Sequence, residues 1–285
     1  MKTCDADIEW IPVNSKDADL RNFAETLSMI KKHKPDGIIH LAANVGGLFK
    51  NSNIQNSFEM FEDNFMMNMN VLKAAHYTNV QNVMICLSLC IFPDGKSYDP
   101  LTLHDGVPYS GNASYAWAKR MGEILCSMYR EHGRRYFSIA PTNIYGPNDN
   151  FDLENSHVIP ALIRKCEMAK TNPPFVVAGD GSQVRQFIYV KDLAKIMVDV
   201  FKNYNDSLPY IICPKGSDIS IAELVKHICD ISDYKGPVKF DTSKSNGQSR
   251  CIYNGEYGFE MTDIKKGLAE TISWYTKDLK QKTHE

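Results

Sequence analysis

The chain has 285 residues, 32 Lys and Arg against 34 Asp and Glu, a formal net charge of −2, 43% apolar and 11% aromatic residues. This is the make-up of one large α/β domain or of two unequal lobes sharing a cleft, and the balanced charge leaves no basic face for nucleic acid. The best apolar stretch, Val83 to Phe92, falls far short of the roughly 20 residues that cross a membrane.

The first ten residues carry Asp5, Asp7 and Glu9 without an apolar core, so no secretion leader is expected. Eight cysteines, at 4, 86, 90, 126, 166, 213, 229 and 251, contain no C-x-x-C pair. They read as reduced thiols of a cytoplasmic protein, with no metal site expected.

In chain order, Ile8 to Val13 reads as a strand. Asp17 or Asp19 would cap a helix with the apolar stripe Leu20, Phe23, Leu27 and Ile30, closed by Pro35-Asp36-Gly37. Gly37 to Leu41 is a buried strand, Phe61 to His76 a helix, Asn82 to Leu87 a strand, Ala113 to His132 a long helix and Tyr136 to Pro141 another strand. Such β-α repetition predicts a doubly wound parallel sheet of Rossmann type, with a ligand crevice at the carboxyl ends of its strands.

After about Pro147 the rhythm changes. Phe175 to Ala178, a Gly-Asp-Gly-Ser turn and Gln186 to Val190 read as a hairpin. Helices follow at 191–202, 219–231 and 262–274, with strands at 210–213 and 238–241 and a solvated tail from Lys277 to Glu285. The expected organisation is a cofactor-binding lobe over 1–147 and a smaller mixed α/β substrate lobe over 148–285, some segments of which return to the first lobe.

The sharpest constellation is Ser88, Tyr115 and Lys119. Tyr115 and Lys119, four apart on one helix, point the same way. An ammonium there is expected to lower the phenol's pKa and make it a general acid. Ser88 follows a strand directly, where a carbonyl oxygen would bind. Alone, a Y-x-x-x-K pair is commonly a core tyrosine beside a surface lysine; Pro141-Thr-Asn after the next strand strengthens the catalytic reading.

At these residues the chain resembles the extended short-chain dehydrogenase/reductase family. The matching runs are Ser15 to Leu20, His40 to Gly47, Leu87 to Pro93, Tyr115 to Met121, Pro141 to Pro147, Ser156 to Pro160 and Arg185 to Tyr189. The V-G-G and S-x-C-I-F-P runs point within it to epimerase–reductases. The resemblance implies 3,5-epimerisation of GDP-4-keto-6-deoxy-D-mannose and NADPH-dependent reduction at C4 to GDP-L-fucose, by a homodimer built partly from the 61–76 and 113–132 helices.

It also assigns roles. Ser88, Tyr115 and Lys119 match the reductase triad; Cys90 and His157 match the epimerisation pair, for which a thiolate and an imidazole suit protons acidified by a neighbouring ketone. Without the family, Cys90 reads as a buried thiol and His157 as a helix-terminal histidine bonded to backbone. Asp19 and Leu20 would sit by the adenine of NADP, with Lys16 at its 2′-phosphate or simply solvated. His40, Leu41, Ala42, Ala43, Pro141 and Asn143 would line the pyrophosphate and nicotinamide. Asn143, His157, Lys165, Arg185 and Lys244 would hold the GDP-sugar.

One departure is large. No glycine precedes Gly37, so the family's G-x-x-G-x-x-G turn after its first strand has no counterpart, and neither Val45-Gly-Gly47 nor Gly179-Asp-Gly181 supplies its spacing. A central strand would be missing with it, leaving a sheet edge unpaired. The run after Gln248 is also shorter than expected. The rival reading is therefore a GDP-sugar binding or regulatory subunit without turnover.

Overall fold

The computed structural model describes residues 8–46, 54–95, 97–244 and 252–282. Cys4, Asp5, Asp7, Gly47, Ser245 to Gly247, Ser249 to Cys251 and the last three residues of the expected tail lie outside them. The chain divides into two compact units, Met1–Pro141 with Ala194–Ile212, and Thr142–Leu193 with Cys213–Glu285.

The first unit holds α1 (Phe23–His33), β1 (Gly37–His40), α2 (Ile54–Tyr77), β2 (Asn82–Cys86), α3 (Ala113–Glu131), β3 (Arg135–Pro141), most of α5 (Val190–Asn203) and β7 (Tyr210–Ile212). Its sheet runs β1-β2-β3-β7, all parallel, with Gly37 opposite Asn82, Asn82 opposite Arg135 and Ile139 opposite Tyr210. Buried runs such as Val83-Met84-Ile85 fit strands covered on both faces. Successive side chains of a strand point to opposite faces: Tyr136 meets Tyr129 of α3, while Phe137 meets Phe201 of α5. Helices therefore cover both sides, as the sequence predicts.

Two local expectations in this unit are corrected. Ile8 to Val13 is irregular rather than a strand, with Ile11 and Val13 exposed; no strand among the described residues lies alongside to complete a ladder. Among those residues β1 likewise pairs only with β2. The cap of α1 is Asn22 rather than an aspartate: its side chain accepts from the N–H groups of Ala24 and Glu25. Asp19 is instead held by Arg21.

The second unit contains β4 (Asn143–Tyr145), α4 (Val158–Ala169), β5 (Phe175–Ala178), β6 (Val184–Tyr189), β8 (Asp218–Ser220), α6 (Ile221–Ile231), β9 (Val238–Asp241) and α7 (Ile264–Lys282). Its core gathers Tyr145, Phe151, Ile163, Phe175, Phe187, Leu224, Ile228 and Leu268. The expected hairpin is absent: β5 pairs in parallel with β9, while β6 lies between β4 and β8. The turn between them has Gly179 at φ 81° and Gly181 at φ 79°, and a Cβ on Gly181 would meet the Phe240 ring at 2.5 Å. These glycines let the chain leave one sheet for another. The tail is corrected too, since α7 continues through Lys282.

Gln186 ties this unit together. Its carbonyl accepts from Thr142 Oγ1 and Asn143 Nδ2, at 2.9 and 2.8 Å. Its side-chain amide exchanges two hydrogen bonds with the backbone of Tyr253, at 2.8 and 2.9 Å.

Candidate active site

In the first unit, β2 ends at Cys86 and Leu87 still donates to Ile139 at 2.7 Å. Ser88 then caps a single 3-10 turn, Leu89–Ile91, its hydroxyl accepting from the Cys90 N–H at 3.5 Å. This places the hydroxyl and the Cys90 thiol on one short turn at the carboxyl end of a central strand. Ser88 is half-buried and Cys90 is buried.

α3 supplies the other groups. Its buried positions include Ala116, Lys119, Arg120, Gly122, Glu123 and Cys126; charged residues on a buried stripe are the exception in a helix that only packs. Lys119 Nζ donates to the Cys86 carbonyl at 2.9 Å and lies 5.7 Å from the Tyr115 ring centroid. One helical turn thus carries the phenol and the ammonium together to the end of β2, as their spacing predicts.

The electrostatics differ from expectation. Burial, then the thiols of Cys90 and Cys86, push Tyr115 well above the ordinary tyrosine range, and burial pulls Lys119 down. Desolvation of the phenol outweighs whatever the neighbouring ammonium contributes. Desolvation also raises Cys86, with Lys119 opposing.

His40 closes β1 with 5% of its surface exposed, and its Nε2 has no hydrogen-bond partner among the described residues; the same holds for Asn68 Nδ2 and Ser138 Oγ. Burial and the nearby Lys119 bring His40 down to about 3, against a small opposing effect of Asn68. Beyond it Leu41 and Ala42 are exposed and Ala43 is half-buried, while Pro141 is buried at the end of β3. At the start of the chain Lys16 is exposed, and Leu20 accepts from Asn70 at 2.9 Å. The Asp19 carboxylate is paired with Arg21 and held at about 2.

In the second unit His157 is the exposed N-cap of α4, and its ring makes no capping bond. The backbone-bonded alternative does not hold. Its neighbour Asp149 is raised by burial, with His157 opposing. Asn143 is committed through Nδ2 to Gln186. Arg185 on β6 donates to the Val184 carbonyl at 2.8 Å, Lys165 is half-buried on α4 and Lys244 is exposed just after β9.

Sequence reasoning missed Arg120. Its Nε and Nη2 donate to the Ile91 carbonyl, the former at 2.9 Å, and Nη1 donates to Gly106 at 2.7 Å. The available signal was its place four residues after Ala116 on the buried stripe.

The NAD dependent epimerase/dehydratase family sequence model matches residues 3–213. GDP-L-fucose synthase of Dictyostelium discoideum is 40% identical over 93% of this chain and 86% of its own, and a probable GDP-L-fucose synthase of Drosophila melanogaster is 36% identical over 96% and 91%. The crystal structure of a GDP-L-fucose synthetase from Naegleria fowleri bound to NADP superposes with a TM-score of 0.88, at 35% identity, over 95% of this chain and 86% of that one. With the parallel sheet and the strand-end Ser88, Tyr115 and Lys119 group, these matches make the chain a member of the NAD dependent epimerase/dehydratase family.

Proposed function

We propose that this protein epimerises GDP-4-keto-6-deoxy-D-mannose at C3 and C5 and reduces the product at C4, giving GDP-L-fucose with NADPH as reductant. The observation that carries the reading is the gathering of Ser88, Cys90, Tyr115 and Lys119 at the end of β2.

Epimerisation needs a proton removed beside the ketone and another returned on the opposite face. Cys90 and His157 are assigned to those transfers: the C–H electron pair passes into an enolate on the C4 oxygen, then returns to carbon as the second group gives its proton. Ser88 orients the keto oxygen. In reduction, NADPH when bound supplies a hydride to C4. Tyr115 gives its phenolic proton to the resulting alkoxide and is reprotonated from solvent, and Lys119 is assigned to the cofactor's ribose.

Two features favour a nicotinamide–ribose here. Lys119 is buried with no carboxylate partner among the described residues, and Leu41 and Ala42 are exposed at the end of β1. Lys16, Ala43 and Pro141 are assigned to the rest of the cofactor, Asp19 and Leu20 through their backbone to its adenine. Lys165, Arg185, Asn143 and Lys244 are assigned to the GDP-sugar. The first unit would then be the cofactor lobe and the second mainly the substrate lobe. A homodimer through α2 and α3 is supported by exposed Phe58, Met66 and Met128 on those helices. A cytoplasmic location is supported by six free cysteines among the described residues.

The test is NADPH titration of the purified chain together with product analysis by NMR. Micromolar cofactor binding and GDP-L-fucose formation are expected. A folded chain that binds the GDP-sugar but neither binds nor oxidises NADPH would overturn the reductase assignment.

A further inference from the structure

Two adjacent cations on α3 bracket the turn that carries Ser88 and Cys90. Lys119 holds the Cys86 carbonyl at its start and Arg120 the Ile91 carbonyl at its end. Arg120 is 2% exposed and lies 4.7 Å from the Trp117 ring centroid. Among the described residues its hydrogen-bond partners are the carbonyls of Ile91 and Gly106, and its charge meets no carboxylate. Burying a guanidinium this way is costly unless its charge has a use. Burial pulls the guanidinium down, and among the described residues the Cys90 thiol, when ionised, favours its charged form.

We propose that Arg120 is a positioning residue for Cys90: its fork fixes the end of the Ser88–Ile91 turn, and its unpaired charge favours the thiolate that removes the substrate proton. The proposal rests on the epimerase reading of Cys90. The other ionisable groups around the turn are Tyr115 and Lys119 from α3 and Cys86 from β2. Tyr115 stays neutral, and Lys119 faces both thiols. Of these groups and Arg120, it is Arg120 that is bonded, among the described residues, to the carbonyl next to Cys90. A planar fork with five donors can hold two carbonyls while its charge stays in place, which lysine cannot reproduce in full.

The test reads the thiol directly. Iodoacetamide labelling of Cys90 is followed by peptide mass spectrometry from pH 6 to 10 in the wild type, Arg120→Gln and Arg120→Lys. Removing the charge is expected to raise the labelling midpoint by about one pH unit, which slows labelling near neutrality about tenfold. Arg120→Lys should keep the midpoint. It should nevertheless lower solvent-deuterium entry at C3 and C5 of the GDP-keto-sugar more than it lowers C4 reduction, because the turn is no longer fixed. An unchanged midpoint in folded Arg120→Gln would overturn the proposal.

Should that variant not fold, the wild type decides. Cys90 is more buried than Cys86, yet it should label at the lower pH; the reverse order overturns the proposal. Deuterium entry that survives Cys90→Ala would sink the epimerase reading instead, while leaving the labelling profile to be judged by itself.

Discussion

Lys119 Nζ donates a hydrogen bond to the carbonyl of Cys86 at 2.9 Å while lying 5.7 Å from the ring centroid of Tyr115. The ammonium is thereby anchored to the sheet before any ligand arrives. Tyr115 is left with burial as the dominant influence on its phenol and keeps its proton far into alkaline solution. It stands ready as an acid.

Reduction should therefore show no loss attributable to Tyr115 below about pH 9, because the donating form disappears only as pH passes a pKa raised above the ordinary value of about 10. Tyr115→Phe should slow C4 reduction about 10²–10⁴-fold, the usual worth of a positioned general acid. Solvent-deuterium entry at C3 and C5 should continue. Following NADPH oxidation and NMR exchange on the same sample checks both, and equal loss of the two would contradict the division of labour.

His40 gives the fold a pH dependence of its own. Its folded pKa is depressed, from 6.5 to about 3. Between those values the unfolded chain binds the proton and the folded one does not, so stability rises with pH across the window. Acidification below pH 6.5 should cost up to about 1.4 kcal/mol per pH unit from this residue, fading as pH approaches 3. In His40→Asn, urea midpoints measured from pH 7 to 4 should fall less steeply than in the wild type. Parallel curves would refute this.

Gly122 lets α3 approach its neighbours closely. A Cβ there would meet Asn68 Nδ2 and Ile85 Cδ1, each at 2.9 Å. Gly122→Ala should destabilise the first unit by about 1–3 kcal/mol through overpacking, despite alanine's better helix propensity. The helix carrying Tyr115 and Lys119 would be displaced with it, so turnover should fall more than NMR-detected folding. A variant as stable and active as the parent would show that Asn68 moves aside freely.

Phe58 is 63% exposed on α2 and Met128 56% exposed on α3. If these helices form the dimer face, Phe58→Asp with Met128→Asp should convert the protein to monomers in light scattering, with the circular dichroism of the wild type. An unchanged mass would place the subunit contact elsewhere.

Much of the first unit was legible because parallel strands are buried on both faces and appear as short apolar runs such as Val83-Met84-Ile85. That Tyr115 and Lys119 lie side by side was legible from helical spacing, while their catalytic reading also needed Ser88 and Pro141-Thr-Asn at the ends of neighbouring strands. The β5–β6 region was not. Its alternation correctly gave two strands, but the partner of β5 is β9, some 60 residues on, and no local pattern encodes a distant pairing. Arg120 escaped because a charged residue on a helix reads as solvated, and only a count from Ala116 reveals it on the inner stripe. The state of Tyr115 escaped for a related reason: spacing brought the ammonium near, but the burial and the Cys90 and Cys86 thiols that raise the phenol come from the packing around it.

The two-way hydrogen bonding between Gln186 and Tyr253 has a consequence for how this protein can change over generations. Tyr253 is clamped to β6, and Lys244 is tied by its N–H to the Asp241 carbonyl at the end of β9. Both footings of the intervening segment are set independently of its length. Doubling such a segment costs only about 0.6 kcal/mol of closure entropy. Changes of length between these two anchors can therefore accumulate without moving β6 or β9.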